Sequence, residues 1–191
     1  MIYWIGYGFW KIVSFFFFPI KCHGRRNLPK KGGFILASNH LSYLDPMLIG
    51  LCFSRRLSYV ARDTLFKNKI FKFFLHQVGA FPIKRQSADV RGIKETLKRI
   101  KDGYPIVVFP EGTRHHDQKK IHGGIGLIAV KSNAPVVPVK IIGSDRVLPP
   151  GVKFPRRHIV HVHFGTPRTF DAKWNYETIA SRILYDIQAL A

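Results

Sequence analysis

Two short polar clusters carry the residues that could do chemistry. His40 precedes Asp45 by five positions in Asn-His-Leu-Ser-Tyr-Leu-Asp-Pro, directly after an apolar run. Glu111 and Arg114 lie in Phe-Pro-Glu-Gly-Thr-Arg, which also follows an apolar run. Because an α/β sheet presents its functional loops where strands end, we expect both clusters to face one crevice.

A histidine next to a carboxylate can act as a base. On an unbroken helix, residues five apart would point roughly 140° away from each other, so the helix must begin after His40. Pro46 suits the first helical position and Asp45 suits the N-cap, which lets the preceding loop fold His40 onto Asp45. The carboxylate would hold one ring nitrogen protonated and leave the other as a base. The alternative is that Asp45 only caps the helix and His40 is a loop residue.

The second cluster has the groups that bind an anion. It supplies a carboxylate, a flexible backbone, a hydroxyl and a guanidinium, in Glu111, Gly112, Thr113 and Arg114. Lys84 and Arg85 end another predicted strand and could reach the same crevice. The alternative is a local salt bridge between Glu111 and Arg114 that closes a turn.

The remaining chemistry-bearing residues predict neither a nucleophile nor a metal centre. No GxSxG elbow occurs, so we expect the nucleophile to be a hydroxyl of the substrate. Cys22 and Cys52 have no CxxC spacing, so we expect two buried, unpaired cysteines rather than a disulfide. We expect no metal site, because no acidic or cysteine partner accompanies the clustered histidines His115, His116, His158, His161 and His163.

The pattern along the chain predicts one α/β domain with a central mixed, largely parallel sheet flanked by helices. A chain of 191 residues with 46% hydrophobic content can bury one full core. Predicted strands lie near 34–38, 57–61, 80–83, 106–109, 136–142 and 158–164. Predicted helices lie near 46–53, 64–76, 124–132 and 175–190, with a further helix after 83 that is capped by Ser87.

Charge and the N-terminal segment indicate contact with an anionic membrane. The net charge is +20, with 31 basic and 11 acidic residues, which attracts anions. The first twenty residues hold one charge, Lys11, among aromatic and aliphatic residues. We therefore expect a membrane-associating segment over 1–24 and a catalytic domain over 25–191. A helix lying in the leaflet is favoured over a spanning one, and the alternative is a helix packed on the domain's own core.

Taken together, these blocks resemble the glycerolipid acyltransferases of the 1-acylglycerol-3-phosphate acyltransferase (PlsC) type. His40 through Asp45 is similar to the HxxxxD motif of that family, residues 79–85 to its second block, and residues 109–114 to its FPEGTR block. A weaker fourth block is similar to residues 136–139. The resemblance covers about residues 25–165, with the blocks in the family's order.

The resemblance implies transfer of a fatty acyl group from acyl-CoA or acyl-carrier protein to the free hydroxyl of a lysophospholipid. The product would be phosphatidic acid when the acceptor is 1-acylglycerol 3-phosphate. His40 would be the general base and Asp45 would orient it, with no cofactor and no metal. The acceptor's glycerol phosphate would be held by Lys84, Arg85, Glu111, Gly112, Thr113 and Arg114. The protein would lie at the cytoplasmic face of the cell membrane.

Departures from the family pattern leave the acceptor open. Where many relatives carry a serine after the FPEGTR block and later a Phe-Lys-Lys-Gly stretch, this chain has His115 and Ile-His-Gly-Gly at 121–124. Alternative acceptors are glycerol 3-phosphate, a lyso-ornithine lipid or another lysophospholipid. A remote alternative is a basic module that binds nucleic acid or membrane without catalysis, which net charge alone supports. We expect no nucleic-acid partner.

Overall fold

The computed structural model describes residues 2–84, 89–112, 123–149, 152 and 154–190. A seven-stranded sheet lies at its centre, with strand order β1-β7-β6-β2-β5-β3-β4. The strands are β1 (Ile20–His23), β2 (Ile35–Ser38), β3 (Ser58–Arg62), β4 (Ala80–Ile83), β5 (Ile106–Val108), β6 (Val136–Ile142) and β7 (Val160–Phe164). The helices are α1 (Ile2–Phe17), α2 (Asp45–Leu51), α3 (Lys69–Gln77), α4 (Val90–Lys101), α5 (Gly124–Ser132), α6 (Ser144–Val147) and α7 (Tyr176–Gln188).

The predicted fold class is confirmed: the sheet is mixed and largely parallel. Strands β6, β2, β5, β3 and β4 are parallel neighbours, whereas β7 is antiparallel to β6 and parallel to β1. The carboxyl ends of β2, β5, β3 and β4 therefore share one edge of the sheet. Loops that follow these strands can meet there, so the two polar clusters can face one crevice, as predicted from the sequence.

Alternation along the strands produces a core on each face of the sheet. Residues such as Leu36, Val137 and Val162 contribute to the core that packs against α1 and α2. Their neighbours Ile35 and Val136 contribute to the core beneath α4, α5 and α7. Gly126 permits the close approach of α5 to α7, because a Cβ there would lie 2.1 Å from the Tyr176 carbonyl oxygen.

Helix α1 combines a packed face with an exposed apolar face. Trp10 and Val13 pack against the core, and Phe18, just after the helix, is fully buried. The rest of the helix exposes large apolar side chains, namely Trp4, Ile5, Phe9, Ile12, Phe15, Phe16 and Phe17. Within the described ranges, no helix combines the length and the apolar character that crossing a membrane requires.

Strand β1 was not predicted, although Ile20 and Cys22 alternate with Lys21 and His23. The strand lies inside the segment 1–24 and pairs with β7, so the sheet starts before residue 25. The division of the chain at residue 24 stays a prediction.

The expectation that the two cysteines are unpaired is wrong. Cys22 in β1 and Cys52 at the carboxyl end of α2 form a disulfide across a sequence separation of 30. Two cysteines so far apart in the sequence could not be predicted to pair, because their proximity depends on β1 packing beside the core that contains α2. The covalent bond ties the N-terminal strand to the helix that begins with Asp45.

Two helix starts differ from the prediction. The predicted helix over 64–76 is a 3-10 turn at Asp63–Phe66 followed by α3, which begins after Asn68 because its side chain accepts hydrogen bonds from two backbone amides of the first turn. Helix α4 is capped by Asp89, whose carboxylate accepts the Gly92 amide. The predicted cap, Ser87, lies outside the described residues.

Candidate active site

The His40–Asp45 pair forms in the loop between β2 and α2. The Nδ1 atom of His40 lies 2.8 Å from Oδ2 of Asp45, which confirms the predicted contact. The histidine side chain is 13% exposed and the aspartate side chain is fully buried. A hydrogen on Nδ1 that donates to the carboxylate leaves Nε2 as the acceptor for a proton from another group.

Asp45 holds its loop in a way that differs from the predicted N-cap. The cap residue is Leu44, and Asp45 is the first residue of α2, followed by Pro46. The carboxylate turns back and its Oδ2 accepts the amides of Leu41 at 2.6 Å and Ser42 at 2.8 Å. Three donors thus converge on one oxygen, an arrangement that fixes both the loop and the imidazole.

Asn39 ties the same loop to the neighbouring strand. Its side-chain amide donates to the Ile141 carbonyl at 2.9 Å, and its side-chain oxygen accepts the Ile141 amide at 2.7 Å. These two bonds imitate a strand ladder between the end of β2 and β6. Asn39, the residue before His40, therefore positions the loop. No role for Asn39 was predicted from the sequence, although an amide side chain directly after a buried strand could have indicated one.

Phe109 joins the two polar clusters. Its ring stacks on the His40 imidazole, with the ring centroids 4.2 Å apart and the planes inclined by 25°. Because Phe109 directly follows β5, the Phe-Pro-Glu-Gly block lies beside the histidine, as the expectation of one crevice requires. Phe109 belongs to the motif, but no role was predicted for it from the sequence. In the structure its ring packs against one face of the imidazole.

A tight turn carries the described part of the second cluster. The Gly112 amide donates to the Phe109 carbonyl at 3.0 Å, and Gly112 has a φ of 61°, which favours glycine. Glu111 is 7% exposed and therefore buried beside this turn. The Gly112 N–H is therefore engaged within the turn. Thr113 and Arg114 lie outside the described residues.

Lys84 lies on the same sheet edge but farther from His40. It directly follows β4, and three strand spacings separate β4 from β2, which corresponds to roughly 14 Å. Its backbone amide donates to Asp89 at 2.7 Å, while its side chain is exposed. Arg85 lies outside the described residues. Of the predicted phosphate ligands, Glu111 and Gly112 thus lie in the turn that begins at Phe109, whose ring stacks on His40, and Lys84 lies at the far end of the edge.

An apolar groove opens on this sheet edge beyond β3. It is lined by Thr64, Leu65, Lys67, Asn68, Ile70, Phe71 and Phe74, which belong to the turn after β3 and to α3. Ile70 is 83% exposed, and Phe73 also faces solvent. A surface of this kind suits an alkyl chain or a lipid layer better than water.

Comparisons with known proteins agree on the kind of protein. Residues 19–142 match the family described as Acyltransferase. The 1-acyl-sn-glycerol-3-phosphate acyltransferase of Bacillus subtilis is 32% identical over 127 residues, which make up 66% of this chain and 64% of that protein. The N-acylphosphatidylethanolamine synthase of Arabidopsis thaliana is 30% identical over 167 residues, covering 75% of this chain and 58% of that protein.

A solved structure has the same fold. The crystal structure of PlsC from Thermotoga maritima, a 1-acyl-sn-glycerophosphate acyltransferase, superimposes with a TM-score of 0.69 at 25% identity. The match covers 90% of this chain and 70% of that one. The chain spans less than two thirds of the length of the curated relatives named above. The match over residues 19–142 covers more than half of the sequence, and the chain belongs to the Acyltransferase family.

Proposed function

We propose that this protein transfers a fatty acyl group from an acyl thioester to the free hydroxyl of 1-acylglycerol 3-phosphate, which forms phosphatidic acid. The observation that carries the proposal is the His40 imidazole held at 2.8 Å from the buried Asp45 carboxylate. The names of the similar proteins from Bacillus subtilis and Thermotoga maritima support the same acceptor. The donor is acyl-CoA or acyl-carrier protein.

His40 acts as the general base in this mechanism. The acceptor hydroxyl loses its proton to Nε2 of His40 as its oxygen attacks the thioester carbonyl carbon. Asp45 keeps Nδ1 protonated and stabilises the imidazolium that forms. The tetrahedral intermediate then collapses, the carbon–sulfur bond breaks, and the departing thiolate takes the proton from His40. The products are an ester and a free thiol.

The second cluster binds the acceptor's glycerol phosphate. Its turn adjoins His40 through the Phe109 ring, so a ligand held by Glu111, Gly112, Thr113 and Arg114 would present its hydroxyl to the imidazole. Lys84 and Arg85 extend the positive charge along the same edge. A guanidinium suits a phosphate because it can donate two parallel hydrogen bonds to it.

The apolar surfaces account for the lipid parts of the substrates. The groove along α3 accepts an acyl chain, because its aromatic and aliphatic lining removes methylene groups from water. The exposed aromatic face of α1 associates with the surface of an anionic membrane, where its rings replace water with lipid. Residues 1–24 then form the membrane-associating segment and residues 25–191 the catalytic domain. The cytoplasmic face of the cell membrane is the proposed location.

A different acceptor is the second candidate function. The similar Arabidopsis thaliana protein is named N-acylphosphatidylethanolamine synthase, so related chains include one whose name places the acyl group on nitrogen. The resemblance leads us to expect a Phe-Lys-Lys-Gly stretch after the FPEGTR block, but this chain has Ile121-His122-Gly123-Gly124 and so lacks the two lysines. This change favours testing further acceptors, including glycerol 3-phosphate, a lyso-ornithine lipid, other lysophospholipids and phosphatidylethanolamine.

The test is identification of the product. Purified full-length protein would receive oleoyl-CoA and 1-oleoylglycerol 3-phosphate in mixed micelles, with thiol release followed optically and lipids by mass spectrometry. The proposal predicts equal amounts of thiol and phosphatidic acid, both dependent on the acceptor. Parallel reactions would replace the acceptor with each alternative compound. Thiol release that does not need the lysolipid, or a faster reaction with another acceptor, would contradict it.

A further inference from the structure

Three histidines meet on the outer strands of the sheet, away from the catalytic pair. His23 is on β1, whereas His161 and His163 are on β7, and His23 pairs with His163 in the parallel register. The alternate residues Val160 and Val162 are buried in the core shared with α1 and α2. Side chains alternate along a strand, so His161 and His163 lie on the opposite face of the sheet.

The nitrogen atoms of this triad have nearly the spacing of metal ligands. Nε2 of His23 and Nδ1 of His161 are 3.1 Å apart. One ring nitrogen from each of the three histidines lies within 4.8 Å of the others. Two imidazole nitrogens bound to one zinc ion at about 2.0–2.1 Å stand roughly 2.9–3.4 Å apart. The first pair already meets this spacing, and the third ring nitrogen has to move closer for all three to bind one ion.

We propose that His23, His161 and His163 bind one first-row divalent cation of borderline softness, with Zn²⁺ and Cu²⁺ as the preferred ions. Imidazole nitrogen suits these ions, whereas Mg²⁺ and Ca²⁺ require oxygen ligands, and the triad contains no carboxylate. Three protein ligands leave a further coordination position for water or an anion.

The surrounding charges shape the affinity of the triad. Lys21 stands beside His161 in the register of β1 with β7, and Lys140 stands opposite His163 on β6. The Lys140 ammonium group donates to the Gln188 carbonyl at 2.8 Å, which directs it toward the end of α7. Two nearby positive charges weaken cation binding and favour an anion as the fourth ligand. We therefore expect weaker binding than at a three-histidine site without neighbouring positive charges.

Metal binding at this place would join two strands that no turn connects. Strand β1 forms an edge of the sheet and follows α1 directly, while β7 comes from the far end of the chain. His23 and His161 are separated by 138 positions, so a shared ion cross-links the folded chain only. An ion that binds only the folded state raises its thermal stability.

The experiment uses untagged full-length protein freed of metal with a chelator. Zn²⁺ and Cu²⁺ would be titrated in competition with a chromogenic chelator, with Mg²⁺ and Ca²⁺ as comparisons. His23→Gln and His161→Gln remove one ligand each. His76→Gln changes an exposed histidine on α3 and is the matched control. Electron paramagnetic resonance of the Cu²⁺ form of the unaltered protein would count the bound imidazoles without any substitution.

The expected result is one Zn²⁺ or Cu²⁺ per chain, a spectrum with three nitrogen ligands, and a higher melting temperature with Zn²⁺. Each ligand replacement should weaken binding at least about tenfold, whereas His76→Gln should bind as the unaltered protein does. Circular dichroism would verify that the variants fold. Binding that survives both replacements, a Cu²⁺ spectrum without multiple imidazole ligands, or no Zn²⁺ binding below about 1 mM would overturn the proposal.

Discussion

At the scale of single residues, Asp45 has two tasks, which are to hold the loop before α2 and to orient and stabilise the His40 base. Its Oδ2 accepts the backbone amides of Leu41 and Ser42 as well as His40 Nδ1. Asp45→Asn keeps a side chain of the same shape, with one oxygen that can accept a hydrogen bond, but removes the negative charge that stabilises the imidazolium. We expect kcat for thiol release to fall by about 10²–10⁴, because the orientation and charge of the base are both disturbed.

The control for this change is Asp171→Asn, which alters an exposed aspartate far along the chain. Asp45→Ala should in addition lower the free energy of unfolding by about 2 kcal/mol or more, because buried amides lose a charged acceptor. Denaturant unfolding measures this quantity. A normal kcat in Asp45→Asn would show that the carboxylate has no part in the reaction.

Asp89 predicts a dependence of stability on pH. Hydrogen bonds from the backbone amides of Lys84 and Gly92 lower the pKa of this carboxyl group below its usual value. The ionised form is thus preferred in the folded state, and its contribution is present at neutral pH and disappears as pH falls through the folded pKa. Asp89→Asn keeps a side chain that can cap the helix but removes the negative charge at its N-terminus, so it should destabilise the protein by about 0.3–1 kcal/mol at pH 7.

The difference between Asp89→Asn and the unaltered protein should shrink as the pH falls from neutral to below the usual pKa of an aspartate carboxyl group, because Asp89 then becomes protonated. Urea unfolding at several pH values measures it, with Asp102→Asn, at the carboxyl end of α4, as the control. A difference that stays constant over this range would rule out the ionised carboxylate as its source.

Residue types and spacing predicted that His40 could contact Asp45, with a simple helix cap as the alternative, and the family resemblance favoured the contact that the structure shows. Spacing could not show that the loop amides donate to the Asp45 carboxylate, because these hydrogen bonds depend on how the chain turns back before α2. Asn39 and Phe109 were missed as positioning residues for a related reason. Their partners, Ile141 and His40, come from other strands, and only the strand order makes them neighbours.

At the scale of elements, the disulfide attaches β1 to α2. Closing a loop across a sequence separation of 30 restricts the unfolded chain, which contributes about 3–4 kcal/mol in the chain-entropy description. The double change Cys22→Ser and Cys52→Ser should lower the free energy of unfolding by about that amount. Cys52 is fully buried, so a serine hydroxyl at this position lowers the free energy of unfolding further. The double change of both cysteines to alanine is the matched comparison, because it breaks the bond without burying a hydroxyl.

Denaturant unfolding of the oxidised protein, the reduced protein and the two double variants measures the effect of the bond. Disulfides persist mainly in oxidising compartments, so the reduced form is the relevant one at the proposed cytoplasmic face. Equal stability of the oxidised and reduced forms would contradict a stabilising bond between β1 and α2.

Elements with strong local signals were predicted within a residue or two. The bounds of β4, α5 and β6 match the predicted ranges, because each is a compact apolar run between turn residues. The predicted helix over 64–76 failed at Asn68, since a side chain that can cap a helix lies inside an apolar run. Strand β1 was missed because its alternating residues follow a long apolar segment that dominates the pattern.

At the scale of the whole molecule, the exposed apolar face of α1 and the net charge of +20 predict binding to anionic membranes. Deleting residues 1–20 would also remove the buried Phe18, so point changes on the exposed face are the sharper test. Phe9→Glu with Phe16→Glu should weaken binding to phosphatidylglycerol-containing vesicles at least about tenfold, because two aromatic rings no longer enter the lipid.

Vesicle sedimentation measures this binding, and Phe154→Glu, at a residue that is 79% exposed elsewhere on the surface, is the control. Raising the salt concentration should weaken the binding of all forms, because it screens the attraction of the basic surface to the lipid. Unchanged vesicle binding by the double variant would assign α1 a structural role only.

The fold class was predictable because strands and helices alternate along most of the chain. The order of the strands was not predictable from that alternation. Strand β7 runs antiparallel to β6, and β1 joins its outer side, so residues near both ends of the chain share one edge. The histidine triad arises from this arrangement, which the spacing of His161 and His163 alone could not show.

The central claim is that His40 accepts the proton of the acceptor hydroxyl. The most direct measurement is the rate of acceptor-dependent thiol release by His40→Ala and by the unaltered protein, with 1-acylglycerol 3-phosphate and an acyl thioester. We expect the rate to fall by about 10²–10⁴ while circular dichroism shows an intact fold. A variant that releases thiol and forms phosphatidic acid at the unaltered rate would contradict the claim.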